Sequence, residues 1–250
     1  MADAKIALDS ALTHAYESGV IRLLDISVGT GDFFTRSEAI DALKKRIHID
    51  FYMTAGIPPY FSDKRVKGDI DTVEEQAGQG VVAIGEIGLD YFHDYGASRD
   101  QIDLMVEQIE VANKLDLPVV IHTRNADEDL INTLKTNRVK RTGIIHCFSS
   151  GPETARKLLD LGYYLSFAGN STYKKSVHIR EALDIVPADR FVMETDAPYL
   201  APEGYRGRPN QPAYLVATAR FIAQRRKITV EELARDTWKN GCRVLGLKSL

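Results

Sequence analysis

Cysteine and long apolar runs are both scarce in this chain, and each scarcity closes off a class of protein. Cys147 and Cys242 are too few for a disulfide framework, so an ordinary core must hold the fold and a reducing, cytoplasmic setting is expected. No apolar stretch approaches the roughly 20 residues of a membrane span. The opening MADAKIALDS is too polar for a secretory signal, and no membrane partner is expected. Charge of one sign is scarce as well. A formal net charge of −3 argues against broad affinity for nucleic acid or anionic lipid, while leaving room for a local basic patch. Linkers rich in Pro, Gly or Ser are missing, and oligomeric state is not legible. With 250 residues, 44% of them hydrophobic, a single domain over 1–250 is expected, a size usual for one (β/α) barrel.

What is present alternates between strand and helix signals. Residues 2–18 carry Leu8, Leu12 and Ala15 at helical spacing and stop at Gly19. The alternative there is a short strand at Lys5–Leu8 followed by a helix from Ser10. Strands are expected at Ile21–Val28, Ile49–Ile57, Val81–Glu86, Pro118–His122, Gly143–Phe148, Tyr163–Phe167 and Arg190–Glu194. Between them helices are expected through Lys45, over Ile70–Gln79, through Leu115, and over Asp127–Thr136, Pro152–Leu161 and His178–Ile185. Two more follow, one from Asn210 and Pro212 to Arg226 and one ending at Leu245. Four capping boxes are expected: Thr35 with Glu38, Ser98 with Gln101, Ser150 with Glu153, and Thr229 with Glu232. Gly78–Ala83 matches the GxGxxA string, but it precedes a strand instead of joining strand to helix, so a dinucleotide cradle is excluded. The expected fold is an α/β (β/α)8 TIM barrel. Seven strands are legible where eight close such a barrel, so the first is short or missing.

Four of these strands deliver a chemical group at the same end. VVAIGEIGLD brings Glu86 and then Asp90, VVIH ends at His122, GIIH at His146, and FVMETD at Asp196. In barrels such positions converge on one mouth. Each residue alone would be an ordinary polar group at a strand end; four in register make a site. Two imidazoles and two carboxylates form an N/O set suited to Zn²⁺, Mn²⁺ or a similar ion. Such an ion acidifies a water and polarises a phosphoryl or carbonyl oxygen. Asp196 is the candidate general base. Asp90 and Glu194 are candidates for orienting the ligands, and Asp90 with Tyr91 also for substrate contact. Lys64, Arg65, Lys67, Arg124, Lys174, Lys175, Arg206 and Arg208 fall in loops after strands, where they can draw in an anion. Arg124 and Arg206 are the candidate phosphate clamps. Tyr91, Tyr173 and Tyr199 are placed to stack bases or simply to pack the rim, and His93 to touch substrate. His14, His48 and His178 read as plain polar residues.

GEIGLDY (Gly85–Tyr91), PVVIHTR (Pro118–Arg124), IHCFSSG (Ile145–Gly151), ETDAPYLAP (Glu194–Pro202) and RGRPNQPAYL (Arg206–Leu215) together resemble the TatD family of metal-dependent deoxyribonucleases. The resemblance implies an amidohydrolase-type barrel and divalent-metal hydrolysis of phosphodiester bonds in DNA, single-stranded or damaged, with a 3′-to-5′ exonuclease as one mode. It places the family's bridging glutamate on Glu86, its histidine ligands on His122 and His146, and its catalytic, metal-binding aspartate on Asp196. The family's first-strand HxH pair has no counterpart before Gly19. Its GxHPH segment stands here as Gly56-Ile57-Pro58-Pro59-Tyr60. The resemblance therefore implies one firmly bound ion (Mg²⁺, Mn²⁺ or Zn²⁺), with a second held more weakly if at all. Hydrolysis of another ester or amide, such as an aminoacyl ester, stays open as an alternative. So does a degenerate barrel that binds metal or nucleic acid without turnover.

Overall fold

Alternating apolar strands and amphipathic helices produce one sheet with helical crossovers in the computed structural model, which describes residues 2–249 and their side chains from residue 8 onward. The strands are β1 (Arg22–Asp25), β2 (Asp50–Ala55), β3 (Ala83–Asp90), β4 (Val119–Arg124), β5 (Gly143–Ile145), β6 (Tyr164–Phe167) and β7 (Phe191–Met193). Each pairs parallel with the next, in the order β1 to β7. Sequential parallel order with intervening helices is barrel topology. The crossovers are α2 (Phe33–Lys44), α3 (Asp69–Ala77), α4 (Ser98–Leu115), α5 (Asp127–Thr136), α6 (Pro152–Asp160) and α7 (Val177–Ile185). The helices α8 (Leu215–Arg226) and α9 (Val230–Leu245) complete the chain. None of the described helices is long and apolar enough to cross a membrane.

The eighth strand is missing among the described residues. Lys5–Leu8 lies inside α1 (Ala2–Glu17), so the short-strand alternative gives way to helix, and β1 and β7 remain as sheet edges. Leu12 and Ala15 of α1 are buried while Leu8 is exposed. The β1 edge is tied down by Arg22. Its guanidinium lies 4.1 Å over the Trp238 ring of α9 and donates to Asp50 at 2.9 Å and to Cys242 Sγ at 3.1 Å.

Of the four expected capping boxes, only Thr229 with Glu232 forms. The other three sites have tertiary partners that compete. Burial of Phe33 starts α2 two residues before Thr35, with Asp32 at the cap position. Gln101 turns into the core instead of back to Ser98, and Ser150 donates to Asp127 at 2.7 Å, leaving Gly151 as the cap of α6. A cap is worth typically about 1 kcal/mol, little against the full burial of a Phe.

The main core lies between sheet and helices, with Ile84, Ile87, Leu89, Ile121, Ile145 and Leu165 fully buried in it. A smaller cluster lies on the opposite face of the sheet: Ile144, Tyr164 and Val192 pack with Val244 and Leu245 at the end of α9. Each of these three strand residues stands two positions before a site residue (His146, Ser166 and Glu194), and alternation puts them on the same face. The end of α9 is thus the apolar floor beneath the site.

Candidate metal centre

Glu86 was expected at a strand end, but it lies inside β3, which continues to Asp90. A regular strand would point it the wrong way, because Ile84 faces the helical layer and so would residue 86. The register corrects this. Ile84 pairs with Val119 and Ile87 with Ile121, three steps on β3 against two on β4. The extra residue is a bulge that frees Glu86 to turn inward while Ile87 and Leu89 keep their places in the core. Gly88 makes the close approach to β4 feasible: it sits at φ +141, and a Cβ there would lie 2.0 Å from the His122 carbonyl oxygen. Thr54 accepts from Ser27 N at 2.8 Å and donates to Gly85 O at 2.5 Å, and Glu86 N donates to Ser27 O at 3.3 Å.

Glu86, His122 and His146 come together, each offering one ligand atom, with those atoms all within 4.8 Å of one another. His122 Nδ1 is 3.4 Å from Glu86 Oε1, and its Nε2 is 3.1 Å from Asp90 Oδ2. His146 Nε2 is 3.8 Å from Glu86 Oε2, and its Nδ1 is 2.9 Å from Glu194 Oε1. The two imidazoles therefore face the centre through different nitrogens, each with a carboxylate behind it. The His146–Glu194 approach is close but misaligned for a hydrogen bond, so it acts as an ion pair. Asp196 falls outside the 4.8 Å group but brings Oδ1 to 3.7 Å from His146 Nε2. Two imidazole nitrogens and carboxylate oxygens at this spacing fit a divalent ion of the Zn²⁺ or Mn²⁺ type.

The electrostatics follow from crowding. Burial opposes charging of His146, but Glu194, Glu86 and Asp196 around it prevail and raise it to about 10. Burial raises Asp196 to about 6, with Glu194 and Glu86 adding to the effect against His146 and His122. Burial would raise Asp90 too, yet bonds from His122, His93 and the His93 amide hold it well below the usual carboxylate range. Glu194 is held down by His146 and by Ser166, which donates to it at 2.5 Å. The Cys147 thiol is pushed far up by burial.

Asp90 accepts from Phe92 N at 2.9 Å, His93 N at 3.1 Å, His93 Nδ1 at 3.0 Å and His122 Nε2 at 3.1 Å. Those four bonds hold His122 and the turn after β3 to one carboxylate. The Tyr91 hydroxyl donates to Asp129 of α5 at 2.8 Å, which directs it toward that helix. Arg124 is exposed with its guanidinium 3.7 Å over the Phe92 ring, and exposed Arg206 lies 4.4 Å over the Tyr173 ring. Tyr199 is 70% exposed. Arg65 is occupied by Glu107 at 2.5 Å, whereas Lys64, Lys67, Lys174, Lys175 and Arg208 are exposed. His48 lies tilted against Tyr16 at 6.0 Å between ring centroids and His178 sits 3.0 Å from Ser149 O, both apart from the centre.

Three supporting residues carry functions their sequence context did not announce. Buried Gln101 and Gln108, seven apart on one face of α4, each clamp a backbone unit. Gln101 accepts from Asp90 N and donates to Asp90 O; Gln108 does the same for Ile57. A pair of glutamines on the apolar stripe of an amphipathic helix was the available signal. Asn210 reads as a helix opener, but its buried amide donates to Thr195 O at 2.8 Å and Tyr199 O at 2.7 Å, stapling the loop that carries Asp196. That loop holds Asp196 at φ +56, a conformation L residues adopt at a cost of about 1 kcal/mol or more.

The profile of the family described as TatD related DNase matches residues 2–246. An uncharacterized metal-dependent hydrolase of Escherichia coli K12, YcfH, is 42% identical over 169 residues, 67% of this chain and 64% of its own length. The chain thus spans less than two thirds of that relative. A Buchnera aphidicola metal-dependent hydrolase, BU355, is 34% identical over 242 residues, covering 93% of this chain and 89% of its own. Among solved structures, the TatD homologue YjjV of Escherichia coli superposes with a TM-score of 0.87 at 27% identity, over 96% of this chain and 92% of that one.

Proposed function

Because the chain belongs to the TatD related DNase family, we propose that it is a divalent-metal-dependent hydrolase that cleaves phosphodiester bonds of single-stranded DNA. The observation that carries this reading is the convergence of Glu86, His122 and His146 within 4.8 Å. Asp196 adds a carboxylate 3.7 Å from His146 Nε2. Those residues would hold one ion firmly, Glu86 touching it from the bulge in β3. A bound divalent cation supplies Lewis acidity toward a phosphoryl oxygen and acidifies a water. The protein's own part is orientation and proton handling. Asp90 keeps the His122 Nδ1 lone pair aimed at the centre, and Glu194, 2.9 Å from His146 Nδ1, turns the other ring nitrogen of His146 toward it. Asp196, whose Oδ1 lies 3.7 Å from His146 Nε2, is placed to take a proton from the attacking water. Arg124 and Arg206, each backed by an aromatic ring, are placed to hold phosphates.

With Mn²⁺ or Mg²⁺ the purified protein is expected to shorten a labelled single-stranded oligonucleotide. Glu86→Ala and His122→Ala are each expected to lower the rate by at least roughly a hundredfold. Unchanged hydrolysis by either variant refutes the assignment.

A further inference from the structure

Most of the large hydrophobic side chains left exposed lie in segments that follow strands, on the mouth side of the sheet. Val28, Phe61, Phe92 and Tyr199 are among them, and such a concentration marks a binding surface. Five rings from two loops form an unbroken row there. Phe61 meets Tyr60 at 5.1 Å between centroids, Tyr60 meets Tyr95 at 5.7 Å, Tyr95 meets His93 at 4.9 Å, and His93 meets Phe92 at 4.9 Å. The Arg124 guanidinium covers the last ring at 3.7 Å. The row is continuous with the metal centre, because His93 and His122 share the Asp90 carboxylate. Its end rings are not consumed by packing: Phe61 is 37% and Phe92 57% exposed.

We propose that this row is a stacking track for the bases of a single-stranded nucleic acid, leading the strand to Glu86, His122 and His146. The identity of the ligand rests on the phosphodiesterase reading above. Continuity with that centre and the guanidinium at the end of the row favour a nucleic-acid strand over a lipid or an apolar peptide. Exposed Asp63 and Asp94 are interleaved with the rings, so the row engages base faces rather than the phosphate backbone. Stacking of this kind tolerates any base, since each has a π-face.

Binding measured with chelator present separates the track from catalysis. By fluorescence anisotropy, an oligo-dT of about 12 nucleotides is expected to bind at least roughly tenfold tighter than an abasic oligomer of the same backbone length. The double variant Phe61→Leu/Tyr95→Leu is expected to bring oligo-dT down to the abasic affinity, with circular dichroism unchanged. If that variant does not fold, the comparison on the unaltered protein decides alone. Equal affinity for the two oligomers, an unaffected double variant, or preferential binding of phosphatidylcholine vesicles overturns the proposal. Base-dependent binding without Mn²⁺-dependent cleavage would keep the track and remove the phosphodiesterase reading. Cleavage with equal affinities would do the reverse.

Discussion

Asp90→Asn isolates what the carboxylate behind His122 does. Oδ1 receives the Phe92 and His93 amides, so an Asn must keep its carbonyl oxygen there; the reverse orientation would face two N–H donors with an NH₂. The new amide nitrogen then donates where Oδ2 accepted, toward His122 Nε2 at 3.1 Å and His93 Nδ1 at 3.0 Å. His122 must accept at Nε2, and its proton moves to Nδ1, the atom 3.4 Å from Glu86 and the one offered to a metal. The backbone bonds survive, so the loop stays in place while the ligand is blocked. Loss of such an orienting partner costs roughly 10- to 100-fold in metal affinity, or about 1.4–2.7 kcal/mol. Isothermal titration with Mn²⁺ or Zn²⁺, checked by chelator competition, measures it. Nitrogen-15 spectra of the imidazoles report the tautomer. An affinity within about twofold of the unaltered protein, with the tautomer unchanged, would refute the reasoning.

Asp196→Asn should stabilise the metal-free protein while abolishing hydrolysis. Asp196 titrates at about 6 folded against 3.8 for the free side chain, so the folded state binds the extra proton between those values and loses stability as pH rises through them. The gain from Asn should be absent below about pH 4 and reach up to about 3 kcal/mol above pH 6; an equal gain at both ends rules out titration as the cause. Gln108→Leu leaves the buried Ile57 N–H and C=O without partners, at an expected cost of about 2–5 kcal/mol in urea unfolding. A loss below about 1 kcal/mol would show that Ile57 finds other partners.

Local pattern determined much of this protein by itself. Alternating strand and helix signals imply a parallel sheet whatever the details of packing, because apolar β-branched runs must be covered on both faces. That topology alone places His122 and His146 toward the C-terminal ends of their strands, although β4 runs on two residues past His122 and β5 stops one before His146. What the tertiary structure decided was the aim of side chains. Strand alternation would have sent Glu86 toward the helices; only the bulge against β4 turns it to the centre. Three of four capping boxes yielded to core burial and to partners distant in sequence, since a cap worth about 1 kcal/mol cannot outbid tertiary contacts. The clamps from Gln101, Gln108 and Asn210 span 11, 51 and 15 residues, beyond the reach of any local motif. Which imidazole nitrogen faces the centre depends on carboxylates arriving from β3 and from the end of β7, and only the assembled sheet brings those together.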